Sequence, residues 1–459
     1  VTEPPASRAE ESARPAPAGA LRPESVAESC PGPGDAARPA RHLSRLARFA
    51  VDISPLRASP AFRLLYLARG VALMVYAINA VAVAWQVYGL TQSSLHVALV
   101  GFCLAGGQLA GLVFGGRLAD RHDRRALMVG SRIAYVGVIA LLFGNALLPQ
   151  PQLGLIYLAA LAGGFTGGIG APALLAALPA VVERQQLAAA GALSAIAAQL
   201  AALIGPVLAG ALIAGTGLAG CYAVVLAASA LTPLLLARLP RIKPAQADAR
   251  PAPENTGVLA EWRDGLRFIR RSPMIAAMLW LDLIASLLAM PFVLLPQIAS
   301  ETLGGDAALV GVLHAAPALG ALLAALCSGW TRSLQHPGRL LAAMAVLWGL
   351  AVAAAGLAGS LWAMLACLAL AGIADTVGDI VRGALLQQHT PDALRGRVSA
   401  FWLVQSTLGP ALGGLQMGYV ARRFTVSTAL LAGGAACTLG SAAAWAALPA
   451  LRRRSAPPS

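Results

Sequence analysis

Apolar residues along this chain gather into long runs separated by short polar breaks. A hydrocarbon core about 30 Å thick takes about 20 apolar residues in helical form. A window of that length finds twelve runs, at 63–90, 97–118, 126–147, 153–180, 187–214, 218–238, 274–299, 307–330, 338–358, 360–387, 396–421 and 426–449. Division is least sharp around 187–238 and 338–387, where the breaks are only Gly, Ser and Thr. The pattern predicts an all-α membrane protein with twelve transmembrane helices. A polar segment splits it into six runs and six. The expected organisation is an N-terminal cytoplasmic tail over 1–54, a six-helix bundle over 55–238, a cytoplasmic linker over 239–273, a second six-helix bundle over 274–450 and a cytoplasmic tail over 451–459. The Pro-, Ala-, Arg- and Glu-rich stretch 1–54 reads as disordered, with no cleavable signal pattern in it. Within the linker, Leu259, Trp262, Leu266 and Ile269 recur at helical spacing opposite arginines. An amphipathic helix on the lipid surface is expected there, with a solvated linker helix as the alternative.

Composition narrows the picture. Hydrophobic residues are 58% of 459 and charged residues 12%, against roughly 25% in a soluble domain that must wet its surface. The net charge of +14 would suit nucleic acid, but the arginines sit in turns between apolar runs, which excludes that class. Arg117, Arg121, Arg124 and Arg125 follow the second run, and Arg332 and Arg339 the eighth. Arg395 and Arg397 follow the tenth, and Arg452, Arg453 and Arg454 the last. The alternate breaks are nearly free of basic residues, Arg422 and Arg423 excepted, so both termini are expected in the cytoplasm. Of six cysteines, all but Cys30 lie in apolar runs without metal-ligand spacing. No metal, cofactor, nucleotide loop or nucleophile with a base is read, so an enzyme is not expected and coupling to an ion gradient is.

The two halves repeat each other. Gly205-Pro206 with Gly210 in the fifth run is matched by Gly409-Pro410 with Gly413 and Gly414 in the eleventh. Proline removes a backbone donor and kinks a helix, while glycine admits close packing. Gly115–Asp120 after the second run is matched by Ser328–Ser333 after the eighth, which lacks the acid. In duplicated transporters the substrate sits between the repeats near the midplane.

Ionisable residues at membrane depth are costly and face protein or a water-filled cavity. Asp375, Asp379 and Arg382 stand at i, i+4 and i+7 of the tenth run, on one helical face. They are candidates for proton exchange with Arg382 as charge partner or anion contact, or else a structural ion-pair group. Asp282 is a further candidate, and His314 is more often a packed histidine than a functional one. Asn79 and Gln86, seven apart beside Trp85, either line a cavity or make packing contacts. Arg69, a turn or two inside the first run, can snorkel to the cytoplasmic surface.

The run from Gly116 through Leu118, Ala119, Asp120 and Arg121 to Arg124 and Arg125 resembles the loop 2–3 signature of the major facilitator superfamily. The resemblance implies a conformational latch on Asp120 and these arginines, with Gly116 admitting close helix approach. Gly205, Pro206 and Gly210 resemble the exporter motif of that superfamily. Ser59–Arg63 with Leu67–Arg69, Asn145–Pro149, Ala173–Ala180 and Thr390–Arg397 look like the corresponding stretches of its siderophore (enterobactin) exporters and the wider group holding macrolide-type efflux proteins. This implies proton-coupled export of a siderophore across the bacterial inner membrane. Drug or macrolide efflux is the alternative, and a non-transporting sensor a more distant one. A bulky, oxygen-rich, sometimes anionic cargo is then expected to meet a cation and aromatic faces, for which Arg382, Trp85 and Trp280 are candidates.

Overall fold

The structure, a computed structural model, describes residues 52–240, 258–327 and 336–452. Helices and short turns make up these residues. The tail before 52, residues 241–257 of the expected linker, the repeat at Ser328–Ser333 and the end after Arg452 lie outside the described residues.

Several of the helices start at a capping residue. The first, α1 (Pro60–Thr91), opens with Pro60 at its first position, where a missing N–H costs nothing, and the Ser59 hydroxyl accepts from the Phe62 amide at 3.1 Å. It ends at Gln92, whose φ of 48° is left-handed. Next come α2 (Ser94–Arg121), α3 (Arg124–Leu147, capped by Asp123) and α4 (Leu153–Val181). The stretch Leu187–Ala237 is continuous helix except at Gly217, where φ is 75° and ψ 174°. At 1.5 Å per residue its 51 residues reach about 76 Å, more than two hydrocarbon thicknesses. It is therefore two spans, α5 (187–216) and α6 (218–237), reversed at a glycine that alone tolerates that backbone.

A sided linker helix, Val258–Arg271, precedes the second half. Then follow α7 (Pro273–Thr302), α8 (Ala307–Leu326, capped by Asp306), α9 (Pro337–Ala355), α10 (Leu361–His389), α11 (Asp392–Arg423) and α12 (Val426–Ala447). Ten helices among the described residues are long and apolar enough to cross a bilayer. Counting Leu187–Ala237 as two and adding α11, more polar but 32 residues long, brings the described runs to twelve. α7 is broken at Pro291 into 3-10, α and π turns. The Trp348 indole donates to the Ala289 carbonyl at 2.8 Å, satisfying a group at the break that lipid would leave bare.

Glycine brings backbones together within each half. Gly107, Gly111 and Gly115 of α2 face Leu161, Phe165 and Ile169 of α4, which answers with Gly164 and Gly168. A β-carbon at any of them would strike backbone, the close approach that small-xxx-small spacing provides. α8 and α10 repeat the arrangement with Gly320 and Gly372.

Between the halves, contact gathers at the end remote from the arginine-rich turns. There Gly210 of α5 meets Ala307 and Ala308 of α8, and Gly311 meets Pro206. Opposite, Gly414 and Gly418 of α11 face Ala98 and Leu95 of α2. The Tyr88 hydroxyl donates to Glu301, Gln297 donates to Glu301 at 2.9 Å, and the Ser94 hydroxyl donates to Gln297 at 2.7 Å. One buried core joins Tyr88 and Ile213 of the first half to Leu294, Val310 and Met417 of the second. At the basic end the core divides. Leu65, Met128, Ala173 and Leu236 form one cluster, and Ile275, Met278, Leu341 and Leu385 another. The linker helix docks on α11, with Gly265 against Phe401 and Asp264 3.8 Å from Arg397. The side chains of Leu259 and Trp262 lie outside the described residues.

This geometry sets an expectation. In a chain freed of its own cysteines, Ser94→Cys with Gln297→Cys links the halves with a short bifunctional maleimide, read as a mobility shift on a gel. Adding Gly311→Val, which forces a side chain onto the Pro206 carbonyl at a cost of roughly 1–3 kcal/mol to the closed seam, lowers the linked fraction. Equal linking with and without Gly311→Val would refute the seam.

Candidate functional site

Asp375 lies at the middle of α10, fourteen residues and about 21 Å from either end. Asp379 and Arg382 share its face. The Arg382 guanidinium reaches across to α7, where it pairs with Asp282, and also holds Asp379 and, at 3.4 Å, Asp375. Asp282 accepts a second hydrogen bond from the Gln405 amide of α11 at 2.8 Å, and that amide also donates to the Leu279 carbonyl at 2.9 Å. Arg382 and Asp282 are buried, their side chains 9% and 13% exposed, whereas Asp375 and Asp379 are 55% and 56% exposed. One guanidinium thus serves three carboxylates. The Asp282–Arg382 pair ties α7 to α10, and the two more exposed carboxylates bond the same guanidinium through its other nitrogen. The four charged candidates of the second half therefore form one cluster. Gln405, the fifth member, has no distinguishing mark in sequence. Its place emerges only when α11 packs on α7.

The other candidates separate. Asn79 of α1 lines a cavity of about 230 Å³ with Tyr76, Val83, Val100, Tyr135 and Phe292, and its buried Oδ1 has no partner. Gln86 is buried outside the lining and accepts from the Tyr222 hydroxyl at 2.8 Å. A second cavity of about 420 Å³, between α2, α7 and α11, shares Gly101, Leu104, Phe292 and Val293 with the first and includes Pro410. Gly205 rests on Ala77 of α1 and Gly409 on Ser286 of α7, so the repeated motif performs the same packing in both halves. His314 bonds its own helix at Val310. Trp280 is 57% exposed, and neither it nor Trp85 lines either cavity.

The loop after α2 needs one correction. Close helix approach was expected at Gly116, but a β-carbon there would meet no described neighbour. The crowded position is Gly115, against Ile169, because the 107–111–115 spacing points that residue at α4. Arg125 donates to the Ala237 carbonyl at the end of α6, where a cation suits the helix dipole. The side chains of Asp120 and Arg121 lie outside the described residues, as does their counterpart at Ser333.

Membrane-spanning helices that enclose cavities between two packed halves, with charged groups held at depth, define a multi-pass membrane transporter. The family model described as transmembrane secretion effector matches residues 50–457. Enterobactin exporters of Shigella boydii serotype 18 and Escherichia coli O1:K1 are each 34% identical over 370 residues, covering 80% of this chain and 87% of theirs. The nucleoside transporter NupG superposes with a TM-score of 0.68 at 14% identity, over 84% of this chain and 98% of its own. A bacterial homologue of the lysosomal transporter Spinster, in an inward-facing and unoccupied conformation, gives 0.65 at 15% identity over 87% and 98%. The chain belongs to the transmembrane secretion effector family of the major facilitator superfamily.

The Arg382 geometry yields a stability test. Arg382→Gln strands Asp282, and removing one partner of a buried pair costs roughly 3–5 kcal/mol. Folded, detergent-extracted yield and the thermal midpoint should both fall, and Arg382→Gln with Asp282→Asn should recover most of the loss. No recovery in the double variant would show that Arg382 acts otherwise than through Asp282.

Proposed function

We propose that this chain is a secondary active transporter that exports a siderophore of the enterobactin kind across the bacterial inner membrane, with both termini in the cytoplasm. The observation that carries the reading is 34% identity to enterobactin exporters over most of both chains. The halves 55–238 and 274–450 act as two six-helix units that rock about the cavities between them. A seam joined at one end and divided cores at the other support an arrangement open on the basic, cytoplasmic side. Asp120 with Arg121, Arg124 and Arg125 serves as the latch on that side when the halves exchange ends. Gly205, Pro206, Gly210, Gly409 and Pro410 form the packing pivots.

Protons are the proposed coupling ion. A carrier must change charge during the cycle, and Asp375 and Asp379 are half-exposed carboxylates that share the Arg382 guanidinium with Asp282. Protonating one of them releases Arg382 to the others, which gives a single proton leverage over the α7–α10 contact. A second reading, efflux of a lipophilic drug or macrolide, is favoured by one feature: the lining of the larger part of the first cavity is aliphatic, with Val83, Val87, Val97, Val100 and Leu142.

A deletion strain grown without iron distinguishes them. Siderophore should accumulate in the cells and fall in the medium, as read by mass spectrometry. Unchanged siderophore with raised drug sensitivity would support the second reading and overturn the first. For coupling, Asp375→Asn and Asp379→Asn are to be assayed in inside-out vesicles. Accumulation driven by a pH gradient should be lost in at least one, while exchange of cargo without a gradient persists. Full gradient-driven accumulation in both would place the proton route elsewhere.

A further inference from the structure

The two halves treat their buried cations differently. In the second, Arg382 is surrounded by carboxylates. In the first, Arg69 stands nine residues into α1 and Arg132 eight residues into α3, about 12–14 Å inside the basic end. Both line one small cavity between α1, α3, α4 and α6. Among the described residues no acidic side chain pairs with either. Arg132 instead donates to the Tyr76 hydroxyl at 3.1 Å, with its guanidinium carbon 5.4 Å from the centre of that ring. Tyr76 lies 4.6 Å from Tyr135, ring centre to ring centre, and both rings line the 230 Å³ cavity beside the unpartnered Asn79 oxygen. Tyr76 thus stands between the Arg132 guanidinium and the 230 Å³ cavity, which neither arginine lines. A cation at membrane depth without a counter-charge in its own protein is a functional feature in need of an anion.

We propose that Arg132, assisted by Arg69, anchors the cargo as an aromatic oxyanion. A deprotonated catechol or aryl carboxylate takes charge-assisted hydrogen bonds from the guanidinium while its ring packs on Tyr76 and Tyr135. This rests on the export reading and narrows it. The cavity is below the roughly 300–1,000 Å³ that encloses a whole drug-sized ligand. It therefore receives one aromatic arm of a larger molecule. The anchor lies in the first half, and the carboxylate cluster of the second half is kept for coupling. Arg69 is then a ligand-side cation and not a side chain extended to the membrane surface. An anionic lipid headgroup offers the same oxygen chemistry, so the test carries an arm for it.

The full chain in phosphatidylcholine nanodiscs is titrated with dihydroxybenzoate, neutral catechol and tetraphenylphosphonium. Dihydroxybenzoate should bind saturably. Arg132→Gln should raise its Kd about tenfold, the loss of one charge-assisted contact, and Arg132→Lys by less. The Kd for neutral catechol should barely move. If Arg132→Gln is not recovered folded, Arg69→Gln and Tyr76→Phe are read in the same assay, each with a weaker affinity expected. An unchanged Kd in the folded variants, or preference for tetraphenylphosphonium over the anion, would overturn the anchor. So would loss of dihydroxybenzoate binding when phosphatidylglycerol is added, since a headgroup would then hold the arginines. Failure of siderophore export alongside Arg132-dependent anion binding refutes the export reading alone. Intact export with Arg132-independent binding refutes the anchor alone.

Discussion

Hydrocarbon offers no hydrogen-bond partner, so every polar group at membrane depth must be satisfied by the protein or turned to a water-filled space. That constraint organises the molecule. It makes the backbone helical, and it confines the broken backbone of α7 to a site where Trp348 covers the Ala289 carbonyl. It pairs Gln86 with Tyr222 and Asp282 with both Arg382 and Gln405. The Asn79 Oδ1, buried without a partner, stands instead on the wall of the 230 Å³ cavity.

Helix association in lipid lacks the hydrophobic drive of water and depends on close packing. Glycine supplies it in two roles. Within a half, Gly107, Gly111 and Gly115 against Gly164 and Gly168 make a long seam of backbone on backbone, which favours a rigid unit. Between halves, Gly210 with Gly311 and Gly414 with Gly418 make shorter seams at one end. The second kind joins less surface and lies where helices of different halves cross. A repeated Gly-Pro motif therefore produces two equivalent contacts, α5 on α8 and α11 on α2, on opposite sides of the cavities.

Charge breaks the symmetry that packing keeps. The first half holds arginine against tyrosine, the second holds arginine against aspartate. Two repeats of one architecture thereby hold their buried cations in different chemical surroundings.

The sequence by itself determined the spans and the internal repeat, because apolar run length acts locally. Even the reversal at Gly217 was marked by the Gly-Thr-Gly break. The face shared by Asp375, Asp379 and Arg382 was equally legible, since helical spacing places them. Only tertiary packing decided which partner each charge takes. Asp282 is a hundred residues from Arg382, and Gln405 looks like any polar residue of α11 until α7 lies beside it. Packing also moved the close-approach position from Gly116 to Gly115, a difference of one residue that turns the side of a helix by about 100°. Arg132 drew no notice in sequence because one arginine early in an apolar run resembles any snorkelling cation. Its meaning lies in what surrounds it, a tyrosine ring and, among the described residues, no paired acid, and neighbours brought together from separate helices leave no pattern along the chain.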